Sequence, residues 1–381
     1  MNIFRRHLLR QSLLAAATVT VAGVSSEESA AQASAAAPRY APVSSGQELR
    51  FPDDHGAHRQ FRTEWWYLTG WLDSQRGPIG FQITFFRSRT EHSDRNPSRF
   101  AAKQILFAHA ALAPSGADRL LHDQRASRQG FADGQIANAG FTAVNIGDWS
   151  LQQDGADRYV AQIHSRQFTI ALTFKAADPP WLQGHAGYSR KGPESKQASY
   201  YYSRPQLQVA GAVSWRTQTG TEPLSAAIQV GGTAWLDHEW SSELLDQRAS
   251  GWDWLGLNLD NGDALMAFRI RQATGPPLWQ HAALRPQNTA TPALATPSTI
   301  EFSPQRHWRS PRTNIDYPVQ MSVQLDSRRV VVRPLIDDQE LDSRASTGII
   351  YWEGAVTAYE NEQRVGRGYL ELTGYGQKIR L

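Results

Sequence analysis

The sequence predicts an all-β protein made of two domains of antiparallel strands. Short runs of alternating apolar and polar residues recur along the chain, turn residues separate them, and few stretches have helical periodicity. Short strands with Gly, Asp, Asn or Pro between them are typical of an antiparallel sandwich or barrel. The chain of 381 residues is longer than one ordinary hydrophobic core requires, so we expect two domains.

The first residues have the features of an export signal. A basic start contains the pair Arg5-Arg6 followed by His-Leu-Leu-Arg, an order that resembles a twin-arginine signal. An apolar run follows, and then Ala31-Gln32-Ala33 fits a small-x-small cleavage site. Because the apolar run has only about 12 residues, it is too short to serve as a transmembrane anchor.

These features set the predicted domain boundaries. Residues 1–33 are predicted to be a signal peptide of the twin-arginine type, and the Ala/Pro/Ser-rich residues 34–47 a flexible lead-in. A polar region at residues 215–228 separates an N-terminal β-domain, residues 48–222, from a C-terminal β-domain, residues 223–381. We expect the mature protein in the periplasm or outside the cell, with no integral membrane span.

Two hairpins have the clearest strand patterns. In the first, residues 63–71 and 81–87 both alternate, with Trp65, Tyr67, Thr69 and Trp71 on one face of the first run and Phe81, Ile83 and Phe85 on one face of the second. In the second, residues 251–259 and 264–271 flank an Asp-Asn-Gly-Asp turn, which is a strong signal for a tight hairpin. The two hairpins are similar in sequence, which agrees with two β-domains of similar kind. An internal duplication is one explanation, but the turn lengths of the hairpins differ.

Composition and motifs exclude several classes of protein. The formal net charge is +3 without a basic stripe, so we expect no nucleic-acid partner. The absence of cysteine excludes disulfides, thiol catalysis and cysteine zinc sites. The sequence has no phosphate-binding glycine loop and no Gly-x-Ser-x-Gly motif. For His55 and His58, turn and capping roles are favoured over metal binding, and we expect no metal and no cofactor.

The segment from Trp235 to Trp240 carries the strongest candidate chemistry. Side chains alternate along a strand, which places on one face Trp235, Asp237 and Glu239, and on the other Leu236, His238 and Trp240. A carboxyl group among aromatic rings loses hydration, which raises its pKa and makes it a proton donor near neutral pH. A buried structural pair of the aspartate with a histidine or an arginine is the alternative.

Other polar residues interrupt apolar or aromatic strands. They are Glu64 before Trp65, Trp66 and Tyr67, His109 in an apolar run, Tyr201 within a tyrosine triple, and Asp253 between Trp252 and Trp254. A polar side chain in such a setting faces solvent or needs a buried partner. For His109 alone, a hydrogen-bonded core histidine is the simpler interpretation. Convergence of these residues on one cavity would favour a functional site.

The same residues carry a family resemblance over nearly the whole mature chain. The blocks Phe51–His58, Arg62–Gly70, Phe107–Leu112, Ala198–Ser203, Trp235–Trp240, Gly251–Trp254 and Gly368–Tyr375 are similar to those of the AttH-like secreted proteins, which are related to carotenoid 1,2-hydratases. The resemblance implies two lipocalin-like (calycin-type) β-barrel domains packed together. Barrels of this type enclose apolar ligands, so an isoprenoid or lipid is the expected small-molecule partner.

The resemblance also implies an acid-catalysed hydration of a carbon-carbon double bond. A carboxylic acid protonates the alkene, aromatic faces stabilise the carbocation, and a positioned water captures it. In this family's matching block the aspartate is the suspected acid, which implies Asp237 as catalyst, with His109 or His238 positioning water or sharing the proton. The implied substrate-binding residues are Glu64, Trp65, Trp66, Tyr67, Tyr201, Trp235, Trp240, Trp252, Asp253 and Trp254.

Two other functions stay open. The first is a non-catalytic carrier of a lipid or other hydrophobic molecule in the periplasm. The second is a lipid-ester hydrolase, which the missing nucleophile motif disfavours. Substitution of Asp237 separates the enzyme from the carrier, because only an enzyme has turnover to lose.

Overall fold

The computed structural model describes residues 40–379, apart from residues 99, 131–133, 137–139, 156, 217–223, 244 and 288–298. The predicted signal peptide at residues 1–33 lies outside the described residues. Within them we find antiparallel β-strands, no α-helix, and one short 3-10 turn at Asp53–His55. No helix in this part of the chain is long and apolar enough to cross a membrane.

The strands form two sheets. The first sheet contains β1 (Thr63–Asp73), β2 (Ile79–Arg89), β3 (Gln104–Pro114), β4 (Leu121–Arg128), β5 (Gly134–Ile136), β6 (Ala143–Ile146), β7 (Trp149–Gln153), β8 (Arg158–His164), β9 (Phe168–Lys175), β10 (Trp181–Leu182), β11 (Tyr188–Arg190), β12 (Ala198–Trp215) and β13 (Ile228–Ser241). The second contains β14 (Ala249–Leu259), β15 (Ala264–Gln272), β16 (Trp279–Arg285), β17 (Ile300–Arg309), β18 (Asp316–Leu325), β19 (Arg328–Pro334), β20 (Glu340–Asp342), β21 (Ile350–Glu360) and β22 (Gln363–Leu372).

Both sheets curl into barrel-like shapes. The neighbour order in the first is β4-β3-β2-β1-β13-β12-β9-β8-β7-β6-β5, and the near-terminal strands β4 and β6 contact each other. In the second the order is β16-β15-β14-β22-β21-β19-β18-β17, and the terminal strands β16 and β17 make contact. Curling brings the inner faces of distant strands together and reduces exposed sheet edges. The predicted all-β fold with two lipocalin-like barrels is confirmed.

Strand alternation divides most of the apolar residues among three large clusters. On β1, Trp66 and Leu68 point into the core of the first barrel, whereas Tyr67 and Trp71 point toward the second sheet. On β14, Leu255 and its alternate neighbours fill the core of the second barrel. Fully burying one large apolar side chain stabilises the fold by about 1.5–3 kcal/mol, so each cluster contributes substantially.

The third cluster lies between the two sheets and joins them. The Trp71 indole Nε1 donates a hydrogen bond of 2.9 Å to the carbonyl of Gly368 on β22. Gly80 allows close approach, because a Cβ built there would lie 2.5 Å from the Cβ of Ala355 on β21. The amide of Asn258 donates a 3.0 Å hydrogen bond to the carbonyl of Ala234 on β13. The outer faces of the two barrels therefore form a shared interior.

The change from one sheet to the other occurs later in the chain than the predicted domain boundary. The boundary between residues 222 and 223 itself lies outside the described residues. However, β13 pairs along its length with β1 and β12 of the first sheet, although it was predicted to belong to the second domain. The sheets change between Ser241 and Ala249. Pairing with strands far away in sequence, rather than a local composition change, determines where β13 belongs.

Part of the predicted flexible lead-in is packed against the first sheet. Val43 is buried in a cluster with aromatic residues of β12 and β13. The backbone N–H of Ser44 donates to the Tyr200 hydroxyl at 2.9 Å, and that hydroxyl donates to the Ser44 carbonyl at 3.0 Å. The Ala/Pro/Ser composition of residues 34–47 therefore does not correspond to flexibility at Val43 and Ser44.

Candidate active site

A cavity of about 330 Å³ lies between the two sheets. Its first wall comes from β1, β2, β3 and β13, and its second from β14, β15, β21 and β22. The side chains that bear on its chemistry are Glu64, Trp65, Tyr67, His109, Lys191, Asp237, Glu239, Trp252, Trp254, Phe268, Tyr351, Glu353 and Glu371. A largely apolar cavity with a few convergent polar groups is typical of a small-molecule site.

Asp237 lies on the first wall and is 3% exposed. Its Oδ1 accepts hydrogen bonds of 2.6 Å from both the Ser203 hydroxyl and the Trp235 indole, and its Oδ2 accepts one of 2.8 Å from the Tyr201 hydroxyl. Burial raises the pKa of Asp237 to about 7, and the three donated hydrogen bonds limit the rise. The carboxyl therefore exchanges a proton near neutral pH and is held in one orientation.

Aromatic rings surround this carboxyl. The Trp254 indole donates a 3.1 Å hydrogen bond to the Tyr201 hydroxyl, so it supports the residue that holds Asp237. Trp254 also lies edge-on to Trp235 and to Tyr67, with ring centroids 6.1 Å and 5.3 Å apart. Aromatic faces attract a positive charge in a desolvated site. The predicted residues Trp65, Tyr67, Trp252 and Trp254 line the cavity, and Tyr201 and Trp235 position the acid.

A buried ion pair forms another part of the wall. The Lys191 ammonium lies 3.0 Å from Glu239 Oε1, and both side chains are 7% exposed. The same ammonium lies 4.6 Å from the centroid of the Tyr201 ring and 4.1 Å from that of Phe268. The predicted shared face of Trp235, Asp237 and Glu239 is confirmed by these positions.

Glu353 and Glu371 line the second wall, and neither was predicted as a site residue. They are directly opposite each other on the paired strands β21 and β22. Burial raises the pKa of both carboxyls, and the charge of Glu353 raises that of Glu371 further. A signal was present, because each glutamate follows a tyrosine by two residues in an apolar strand and so shares its face.

His109 lines the cavity but does not contact Asp237. Its Nε2 lies 2.9 Å from the Ser346 hydroxyl and its Nδ1 2.8 Å from the Tyr351 hydroxyl. Ser346 donates a 2.6 Å hydrogen bond to Gln124, so Nε2 carries the histidine proton and Nδ1 accepts from Tyr351. Burial lowers the pKa of His109 to about 3, which leaves it neutral. The hydrogen bond between Tyr351 on β21 and His109 on β3 therefore links the second sheet to the first.

His238 is on the opposite face of β13 from Asp237, so the predicted Asp237–His238 partnership is wrong. The His238 Nε2 lies 2.9 Å from Glu64 Oε1, and its Nδ1 lies 3.1 Å from the Tyr202 hydroxyl. Glu64 is an acceptor only, so Nε2 donates to it and Nδ1 accepts from Tyr202. Burial lowers the pKa of His238 to about 4. Residues adjacent in a strand point to opposite faces, which separates the two side chains.

Glu64 is the centre of a buried charge network rather than a free ligand group. The Arg87 guanidinium donates to its Oε2 at 2.8 Å, and both side chains are 0% exposed. His58 lies between Glu64 and Asp54, at 2.8 Å and 2.9 Å. Burial would raise the pKa of Glu64, but Arg87 and His58 hold it well below its usual value. Although Glu64 borders the cavity, its carboxylate is already fully partnered.

Two tryptophans that were predicted to bind substrate pack against the histidines of this network instead. Trp66 stacks on His238 at 4.7 Å between ring centroids, and Trp240 stacks on His58 at 3.6 Å. Both indoles are buried on the face of the first sheet that points away from the cavity. Their position is incompatible with direct contact to a ligand in the cavity.

Three residues of this network have side-chain atoms close enough together to coordinate one metal ion. One ligand atom each from His58, Glu64 and His238 lie within 4.8 Å of one another. However, Arg87 already neutralises Glu64, and both nitrogens of His58 face carboxylates. Burial would lower the pKa of His58, but Glu64 and Asp54 raise it, which favours a protonated ring. A second cation would be repelled, so the cluster fits a hydrogen-bond network better than a metal site.

Asp253 is another predicted site residue that faces away from the cavity. It lies between Trp252 and Trp254 on β14, and its carboxylate accepts hydrogen bonds of 2.6 Å from Arg269 and 3.0 Å from Arg271. Alternation again places the aspartate opposite the flanking tryptophans. Asp253 therefore forms a structural pair with arginines, the kind of pairing that the sequence left open as an alternative for Asp237.

The fold and site define a class of protein: a two-barrel, all-β protein with an apolar cavity lined by acids between its sheets. The chain belongs to the AttH-like family, whose model matches residues 42–375. The crystal structure of an AttH homologue from Nitrosomonas europaea is similar, with 47% sequence identity, coverage of 88% of this chain and 99% of that chain, and a TM-score of 0.79. No curated protein matches the sequence.

A more distant structure has the same fold. Kievitone hydratase from Nectria haematococca aligns with a TM-score of 0.64 and 13% identity, covering 90% of this chain and 98% of that chain. At this identity the similarity concerns the fold alone. The predicted membership in the AttH-like family is confirmed.

Proposed function

We propose that this protein is an exported hydro-lyase-like enzyme that protonates and hydrates a carbon-carbon double bond of an isoprenoid or other apolar substrate. The observation that carries the proposal is Asp237, a buried carboxyl with a pKa raised to about 7 on the wall of an apolar cavity. A general acid is most effective when its pKa is close to the working pH.

The surroundings of Asp237 fit the demands of this reaction. Protonation of an unactivated alkene produces a carbocation, which needs negative charge or aromatic faces nearby and little bulk water. Trp254 and Tyr67 supply aromatic surface, and Glu239 and the pair Glu353 and Glu371 supply carboxyl groups on the same cavity. Because Asp237 is held by three hydrogen bonds, little reorganisation is required when its charge changes.

The relatives agree with this chemistry. The family resemblance connects the Asp237 block to carotenoid 1,2-hydratases, and a structural neighbour of the whole chain is named kievitone hydratase. The isoprenoid class of substrate follows from the apolar wall, which suits a hydrocarbon chain, together with that family relation. Export by residues 1–33 is part of the same proposal.

Conversion of Asp237 to asparagine tests the proposal against a carrier function. Small molecules that co-purify with the exported protein are identified by mass spectrometry, and the protein is then incubated with them and with a panel of prenyl alkenes in ¹⁸O-labelled water. We expect a labelled alcohol from the wild type. D237N should retain ligand binding and lose product formation by a factor on the order of 100 or more.

Ser203→Ala is the matched control, because it removes one hydrogen-bond donor from Asp237 and keeps the carboxyl. It should remain active. Tight binding by wild type and D237N with no labelled product from either would identify a carrier instead. Equal turnover by wild type and D237N would remove Asp237 from the reaction.

A further inference from the structure

The second wall of the cavity carries two carboxyl groups without a cationic partner. Glu353 and Glu371 are cross-strand neighbours on β21 and β22, on the face that points toward the first sheet. Within the described residues, no Lys, Arg or His forms an ion pair with either carboxyl. Glu353 Oε1 is buried and accepts no hydrogen bond from this part of the chain, and Glu371 Oε1 accepts one of 3.1 Å from the Trp252 indole.

Two ionised carboxylates cannot remain side by side in such an environment. Like charges directly opposite each other on a sheet are destabilising, and a low local dielectric strengthens the repulsion. One proton held between the two groups removes most of this cost, as in other carboxylate pairs that share a site. Burial leaves the remaining negative charge poorly solvated, which favours uptake of a second proton by the pair.

We propose that Glu353 and Glu371 hold one proton between them and act as the base that deprotonates the attacking water, on the wall opposite Asp237. This inference rests on the proposed function and deepens it. Hydration needs a donor on one side of the double bond and a base beside the water. The two sheets provide one group each, Asp237 from the first and the glutamate pair from the second.

Every proton and electron pair is accounted for in one turnover of this reaction. The Asp237 O–H proton is transferred to one alkene carbon, and the π electrons form the new C–H bond. A lone pair of the water oxygen forms the C–O bond to the cationic carbon, and one water O–H bond breaks to give its proton to the glutamate pair. The pair then returns one proton to Asp237, so the net reaction is alkene plus water to alcohol.

Tyr67 is placed to assist this return. Its Cα is opposite that of Asp237 on the neighbouring strand, and its hydroxyl lies beside Glu353. A neutral phenol can accept one proton and donate another without a net change in charge. Tyr67 is therefore a positioning residue for proton return, while the glutamates contact the reacting water.

A first experiment measures the shared proton without any substrate. Protein containing ¹³C-labelled glutamate is examined by infrared spectroscopy at pH 7. We expect a protonated glutamic-acid C=O band in the wild type and in D237N, and its loss in E353Q/E371Q. Glu360→Gln is the control, because Glu360 is paired with Arg328 and does not line the cavity, and should leave the band unchanged. A wild type without this band, or a band that survives in E353Q/E371Q, would overturn the inference.

A second experiment separates alkene protonation from water attack. In D₂O, reversible protonation by Asp237 incorporates deuterium into the alkene. We expect E353Q/E371Q to keep this exchange and to lose alcohol formation on the order of 100-fold, whereas D237N loses both. Full alcohol formation by E353Q/E371Q would overturn the role of the pair. Absence of both exchange and product in the wild type would instead contradict the proposed function, while the infrared result stays valid.

Discussion

Asp237 and His238 are adjacent in the chain, yet their side chains serve two separate sites on opposite faces of β13. Asp237 borders the cavity between the sheets, and His238 donates a 2.9 Å hydrogen bond to Glu64 inside the first barrel. Substitutions at these neighbouring positions should therefore have different consequences.

We expect His238→Ala to affect stability rather than chemistry. It removes a donor from the buried Glu64 carboxylate and leaves a void beside Trp66, which should lower the free energy of unfolding by about 2–4 kcal/mol. Urea denaturation and turnover of the folded fraction measure the two effects separately. A large loss of turnover in fully folded H238A would mean that the sheet faces are coupled in catalysis.

Arg87→Met should be among the most destabilising single substitutions. Both members of the Arg87–Glu64 pair are fully buried, and removal of one partner from such a pair costs about 3–5 kcal/mol. Arg364→Met is the control, since its pair with Asp260 is about half exposed, and should change stability by less than about 1 kcal/mol. Equal effects of the two variants in chemical denaturation would contradict the assigned role of the network.

The pH dependence of turnover follows from the Asp237 acid. Burial raises its pKa to about 7, so the protonated form is lost above this pH and kcat/KM should fall. In S203A the Asp237 carboxylate loses a stabilising hydrogen bond, so the pKa of Asp237 should rise. The decrease of kcat/KM should therefore occur at higher pH in this variant. Steady-state rates, recorded from about two pH units below this pKa to about two units above it, measure the shift. A decrease that moves to lower pH in S203A would contradict this assignment.

Glu353 on the second wall should make the folded protein less stable as the pH rises. Burial raises the pKa of Glu353 in the folded protein above its ordinary value of 4.5. Above that value the unfolded chain has released its proton and the folded protein retains it, so rising pH favours unfolding. E353Q should therefore lose less stability than the wild type between pH 5 and pH 8, measured as the change in melting temperature. A steeper loss in E353Q would contradict the buried acid.

Export is expected to depend on the twin arginines. Residues 1–40 are fused to a reporter, and Arg5 and Arg6 are both changed to lysine. Transport of the reporter should stop, because the twin-arginine route requires the pair. Unchanged export would indicate the general secretory route.

Strand periodicity made much of the local structure predictable. The hairpins β1–β2 and β14–β15 form where alternating runs and an Asp-Asn-Gly-Asp turn indicate them. The division of residues 235–240 into two faces also followed from alternation, and it is the reason that Asp237 lines the cavity. The same rule, applied to Asp253, would have placed it opposite Trp252 and Trp254, but without the sheet arrangement the cavity-facing side of β14 was unknown.

The β-class, the strand faces and the family could be read from the order of amino acids, because these depend on short-range alternation and ordered blocks. Three further relationships became visible in the folded chain: β13 joins the first sheet, Tyr201 and Ser203 hold Asp237, and Glu353 lies across the cavity. Such relationships depend on which distant strands pair and which faces of two barrels meet. Burial and charge then act between groups that lie more than a hundred residues apart in the chain, which no local pattern encodes.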